Sequence, residues 1–249
     1  MFDYFWASKW DTPLEKKFQI FTPQHFLILV FLISCIIAAC YVYLKCSSTN
    51  RLKLKRVLVW TLLVSELIYQ IELVVTKIYT IHDLPLQLCG LAIFMAFYHA
   101  YRPNKALDDI LSSLCMPGAV AALFFCGWTG YSVISFVCVH SFLSHVATIT
   151  YVCMQLVSGD ICLNLRDMRY TALFMCGALP VMYFVNSILG TNFLFINDPT
   201  GYPVISWLAG LMGIPWYVIG YFALVLVLVF IMHLIFSIIN LKKRSKKVV

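Results

Sequence analysis

Residues 217–240 read "YVIGYFALVLVLVFIMHLIFSIIN", 24 residues without one Asp, Glu, Lys or Arg, and the run stops at the basic string "LKKRSKK". A helix of about 20 such residues is long enough to cross the hydrocarbon core of a bilayer. Inside that core every backbone N–H and C=O must be paired within the segment, so the run is expected as a transmembrane helix. Six further apolar runs follow the same logic, near 24–45, 57–78, 84–101, 107–127, 131–157 and 171–189, and the last span extends over 213–240. The third and fourth are separated only by "YRPNKALDD" and are the weakest of the set. The chain is 62% hydrophobic and 12% charged, more apolar surface than a soluble domain of 249 residues can hide. The fold class expected is therefore all-α: a polytopic bundle of seven transmembrane helices in a single domain, 1–249.

Basic residues set the orientation. Lys45, Arg51, Lys53, Lys55 and Arg56 fall between spans one and two, Arg102 and Lys105 between three and four, and Arg166 and Arg169 between five and six. With Lys242, Lys243, Arg244, Lys246 and Lys247 in the tail, fourteen of the eighteen basic residues lie on one side. The positive-inside rule then puts the N-terminus outside and the C-terminus in the cytoplasm. The same topology accounts for the net charge of +7, and no nucleic-acid partner is expected. Residues 1–23 mix charges with aromatics and are expected to lie in the headgroup layer. Residues 190–212, rich in Gly, Pro and Asn, form an external loop, with turn chemistry at "DPTGYP", and 241–249 form a basic cytoplasmic tail.

Seven of the ten cysteines lie inside apolar runs, where a thiol behaves as a small hydrophobe, and no CxxC pair suggests structural zinc. The informative residues are polar groups in hydrocarbon, which are costly and face the bundle interior or a wet cavity. Glu66 and Gln70 are four apart and share a helix face, whereas Glu72 points elsewhere. Such a carboxylate is either functional or simply protonated and hydrogen-bonded between helices. His140 and His145 are five apart, about 140° around a helix, so they do not readily bind one metal together. Each is a candidate base or, alternatively, packing glue. Asn186 closes span six and Asn192 follows in the loop.

"HDLPLQLCGLAIF", 82–94, sets Cys89 just behind Pro85, a residue suited to a first helical turn. The positive end of the helix dipole lowers a thiol pKa and apolar surroundings raise it, so spacing alone leaves open whether Cys89 is reactive or a small interface residue. Counted from the ends of their spans, Cys89 and His140 are about 7 and 14 Å deep in the outer half, which allows contact.

"LPLQLC" at 84–89, His140, "VNSILGTNFLFI" at 185–196 and "GIPWYVIGY" at 213–221 occur in the order found in the YwaF-type bacterial integral membrane proteins, and "FTPQHF" at 21–26 is similar to that family's first-helix entry. The chain resembles that family, whose vertebrate relative, transmembrane protein 164, is an acyltransferase. The resemblance implies a multi-pass protein of a bacterial cell membrane, with its active-site residues in the outer half of the bilayer. It implies transfer of a fatty acyl chain between phospholipids or other acyl lipids through a Cys89 thioester with His140 as base. Glu66 or Gln70 is then a candidate for orienting the imidazole, and Asn186 or Asn192 for donating to the oxyanion, although Asn192 also reads as a loop tie. Depth weighs slightly against Glu66, which is about 18 Å from the outer end of its span. No cofactor or metal is expected. The alternative is a non-catalytic membrane protein, either a lipid-binding or assembly factor or a small transporter. Against transport, no pair of Gly/Pro-broken helices stands in matching halves.

Overall fold

The computed structural model describes residues 4–201 and 203–245, with side chains described up to residue 238. Of the expected segments, residues 1–3, Tyr202 and the tail residues 246–249 lie outside the described residues. Those described are all-helical apart from one isolated bridge, Lys17 to Ser132. Six helices are long and apolar enough to cross a membrane. In chain order the helices are α1 (Pro23–Lys45), α2 (Ser48–Val75), α3 (Leu88–Tyr101), α4 (Lys105–Phe124), α5 (Phe136–Ser158), α6 (Met168–Leu189), α7 (Pro203–Met212) and α8 (Tyr217–Ser245).

Local chemistry sets where these helices begin and end. Thr22 accepts a hydrogen bond from the His25 N–H with Pro23 in the first turn of α1, Ser47 caps α2, and Ser135 accepts from the Cys138 N–H at the start of α5. Gly190 ends α6 in the left-handed region, where a glycine costs nothing. Inside α4, Leu111–Cys115 winds as a π-helix, a geometry that re-aims side chains within an otherwise regular rod.

α3 is shorter than the expected span 84–101. An ideal Cβ on Gly90 would stand 2.6 Å from the Pro85 carbonyl oxygen, so the backbone at Pro85 folds back directly over Gly90. The helix therefore starts at Leu88, with Gln87 as its cap, and Pro85 lies before the helix rather than in its first turn. At 14 residues α3 is about 21 Å long. Gly90, Ala92, Ala96 and Ala100 are all buried. Such small residues let helix backbones approach closely, which is how helices pack when lipid removes the hydrophobic drive.

α5 is the centre of the bundle and packs against α1, α2, α3 and α4. In α4 and α5, 56% of the apolar stretch is buried, against 11% in α6 and α8. The outer faces of the other helices stay apolar, as at Leu27, Phe31 and Ile37 of α1 and Leu173 and Phe184 of α6. Exposed greasy surface on this scale suits a lipid surround.

The connections sort into two ends. At the basic end Arg51 and Lys55 approach Asp160, and Tyr43 donates to the same carboxylate. At the opposite end Phe18 N–H donates to Tyr131 O, Phe136 N–H donates to Phe5 O, and Leu194 N–H donates to Gln87 Oε1. The N-terminal segment thus packs against the connection between α4 and α5. That connection leaves α5 to begin at Phe136, five residues later than the expected span.

Candidate functional site

The histidine of the first turns of α5 meets α2 edge-on. His140 Nε2 lies 3.3 Å from Glu66 Oε2, and His140 Nδ1 lies 2.8 Å from Ser65 Oγ. Tyr69 stacks on one side of the imidazole at 4.5 Å and 9°, and Phe136 stacks at 6.1 Å and 25°. Glu66 and Tyr69 are three residues apart and Ser65 and Tyr69 four apart, so one face of α2 carries all three. Gln70 continues it: its amide donates to Glu66 Oε1 at 2.8 Å and to the Asp83 carbonyl at 2.9 Å. Depth therefore does not keep Glu66 from the histidine. Because α5 starts at Phe136, His140 is only about 6 Å along its helix.

With Glu66 ionised, and so able only to accept, Nε2 carries a proton toward it and a neutral ring presents its lone pair at Nδ1. That lone pair faces the Ser65 hydroxyl. Both nitrogens are occupied, and among the described residues no hydrogen bond joins Cys89 to His140.

Cys89 sits at the second residue of α3 and keeps exposed surface although protein crowds round it. The Glu66 carboxylate lies within electrostatic range of Cys89, as does Cys115 on the π-helical stretch of α4.

Ser65 and Phe136 also line a laterally open groove of about 660 Å³ that runs along α2 past Ile68, Val64, Trp60 and Val57 to Arg56. At the Arg56 end the guanidinium stands over the Tyr101 ring at 4.7 Å and Trp60 donates to the Tyr101 hydroxyl.

The remaining expected residues lie apart from this cluster. His145 donates from Nδ1 to the Ser141 carbonyl at 2.6 Å, one turn back in its own helix, and packs beside Trp128. Asn186 is buried and fully engaged: its amide donates to Phe193 O and Asn197 Oδ1, and its carbonyl accepts from Thr191 and the Phe193 N–H. Asn192 donates to Asp198 O and accepts from the Asn197 and Asp198 N–H groups. Both asparagines fold the connection over residues 190–201. Two hydrogen bonds from Thr200 hold the Asp198 carboxyl below the usual carboxylate range. Glu72 is buried with Oε2 unpartnered, on a different face from Glu66.

A second polar cluster, not anticipated, ties together α4, α6 and α8. Asp109 and His233 are both fully buried, 2.7 Å apart, and Asp109 also accepts from the Thr171 N–H and hydroxyl and from Ser113. Next to it His99 bridges the Tyr151 hydroxyl and Asp108, each at 2.8 Å. The signal in the sequence was a lone histidine in the most apolar run and an aspartate at the edge of another. Among the described residues no group of three or more His, Cys, Asp or Glu could hold a metal.

The model of the TMEM164 family matches residues 20–233, which include every residue of both clusters. No curated protein and no solved structure matches the chain.

Proposed function

The chain belongs to the TMEM164 family, and from that premise we propose that it is a membrane-embedded acyltransferase that moves a fatty acyl chain between lipids. The observation that carries this reading is the Glu66–His140 pair: an imidazole locked between two rings, with its tautomer set for use as a base. A base so oriented supplies general catalysis worth about 10²–10⁴ in rate. Cys89 is the nucleophile in this scheme, at a helix N-terminus and open to lipid.

The thiol proton passes toward His140 Nδ1, for which the Ser65 hydroxyl must yield or relay. Sulfur then bonds to the ester carbonyl carbon, the carbon–oxygen bond breaks, and the departing alkoxide takes the proton back from the imidazole. A second lipid hydroxyl or amine attacks the thioester, gives its proton to His140 and releases the thiolate. Excluding water favours transfer over hydrolysis.

In the same reading α3 makes the seventh crossing beside the six long helices, its short rod extended by the 84–87 segment. The end of the bundle that carries Lys45, Arg51, Lys55 and Arg56 faces the cytoplasm, so the His140 cluster lies in the outer half of what we take to be a bacterial cell membrane. The groove beside Ser65 and Phe136 admits a lipid sideways.

Reconstituted in vesicles, the Cys89→Ala protein is expected to lose most of its acyl exchange while it expresses and folds normally. Undiminished exchange would remove Cys89 from the nucleophile's role. An alkyne-tagged acyl lipid that leaves no hydroxylamine-sensitive label on Cys89 would favour a lipid-binding protein without chemistry, for which the groove is the supporting observation.

A further inference from the structure

Several hydroxyls in these helices follow one habit. Ser34, Thr61, Thr148, Thr150 and Ser187 each donate to the carbonyl four residues back in their own helix. This is the ordinary way a serine or threonine is satisfied where water is absent. Ser65 departs from it. Its Oγ ignores the Thr61 carbonyl and meets His140 Nδ1 at 2.8 Å across the helix interface.

Glu66 Oε2, His140 and Ser65 Oγ consequently stand in series: carboxylate, imidazole, hydroxyl. That order makes an alcohol nucleophilic, because the carboxylate fixes the tautomer and the free ring nitrogen accepts the hydroxyl proton. Ser65 is half-buried and on the groove wall, so its oxygen is accessible from the lipid side. Val57, Val64 and Ile68 lie at helical spacing along the same wall. Ser65 is nine residues from Arg56, about 14 Å along the helix, and that length of apolar groove suits much of a fatty chain. The volume of about 660 Å³ is that of a small-molecule site.

We infer that Ser65 is itself an acylation site, a second nucleophile served by His140, and that it takes the acyl group of an ester lipid whose chain lies in the α2 groove. This rests on the acyl-transfer reading of His140 but not on Cys89. In the step, Nδ1 takes the Ser65 proton, Oγ bonds to the carbonyl carbon, and the ester carbon–oxygen bond breaks. The leaving alkoxide collects the proton from His140, which leaves an oxyester on Ser65. The hydroxyl of a lysolipid then attacks that oxyester, its proton goes to Nδ1, and Oγ recovers a proton as the new ester departs.

The test uses full-length Cys89→Ala protein in phosphatidylcholine vesicles carrying alkyne-tagged acyl chains. Label is expected on the peptide containing Ser65, stable to neutral hydroxylamine and released by alkali. The Cys89→Ala, Ser65→Ala double variant should fall to background, a loss of at least about tenfold in label, as expected when a nucleophile is removed. A long-chain alkyl fluorophosphonate should modify Ser65 in the Cys89→Ala protein but not when His140→Ala is added.

Absence of both adducts from a folded Cys89→Ala protein overturns the serine, as does label that survives Ser65→Ala. A serine that only positions the imidazole would slow exchange on substitution without ever carrying an adduct. Exchange by the unaltered protein separates the two ideas. If it continues with no adduct on Ser65, the serine alone falls; if unaltered protein exchanges nothing, the acyl-transfer reading falls with it.

Discussion

Of the three carboxylate–imidazole pairs among the described residues, Asp109–His233 and Glu66–His140 are built to opposite ends. Asp109 and His233 are both fully buried, and Thr171 and Ser113 fill the remaining lone pairs of the carboxylate. Glu66 and His140 are also buried, but the ring's other nitrogen meets a hydroxyl on the wall of an open groove. The first pair clamps three helices. The second leaves one bond able to exchange its partner. On the proposed function, the same two functional groups serve cohesion in one pair and chemistry in the other, according to what occupies the far side of the imidazole.

Asp109→Leu gives the sharpest way to break the contrast. Leaving His233 buried without its partner is expected to cost about 3–5 kcal/mol of stability. Thermal unfolding in detergent reads this, and the Asp109→Leu, His233→Leu double variant should recover much of the loss. If the single variant unfolds no earlier than the unaltered protein, the pair is no clamp.

Glu66→Gln is the counterpart at the other pair. The amide preserves shape but can donate to Nε2, which moves the ring proton to Nδ1 and removes the base. Acyl exchange is expected to fall about 10²–10⁴-fold with the melting temperature nearly kept. A large loss of stability with little loss of exchange would make the two pairs alike.

Gly90→Ala gives a smaller effect. Its methyl would press on the Pro85 backbone, so we expect about 1–3 kcal/mol of destabilisation together with a displaced Cys89. Thiol alkylation rate measured beside thermal stability checks both.

Much of this was legible in the sequence, because a bilayer leaves a chain few options. Apolar runs marked the helices. Glu66 and His140 stood out as polar groups in hydrocarbon, and they meet. Ser65 did not stand out, because a serine in an apolar helix ordinarily bonds its own backbone, and its actual partner is 75 residues away. Asp109 was hidden for a different reason: it falls where the break "YRPNKALDD" overlaps the start of the expected span 107–127, and an aspartate there reads as a helix end, whereas α4 starts at Lys105 and buries it. The start of α3 was missed because Pro85 alone suggests a first turn, and only the contact with Gly90 reveals that the chain doubles back there.

Phe136 touches both Phe5 and Trp6 of the N-terminal segment and also stacks on His140. A single aromatic residue therefore separates the start of the chain from the imidazole. A change at Phe5 or Trp6 reaches the ring through that one contact, so a purification handle belongs at the other end of the polypeptide.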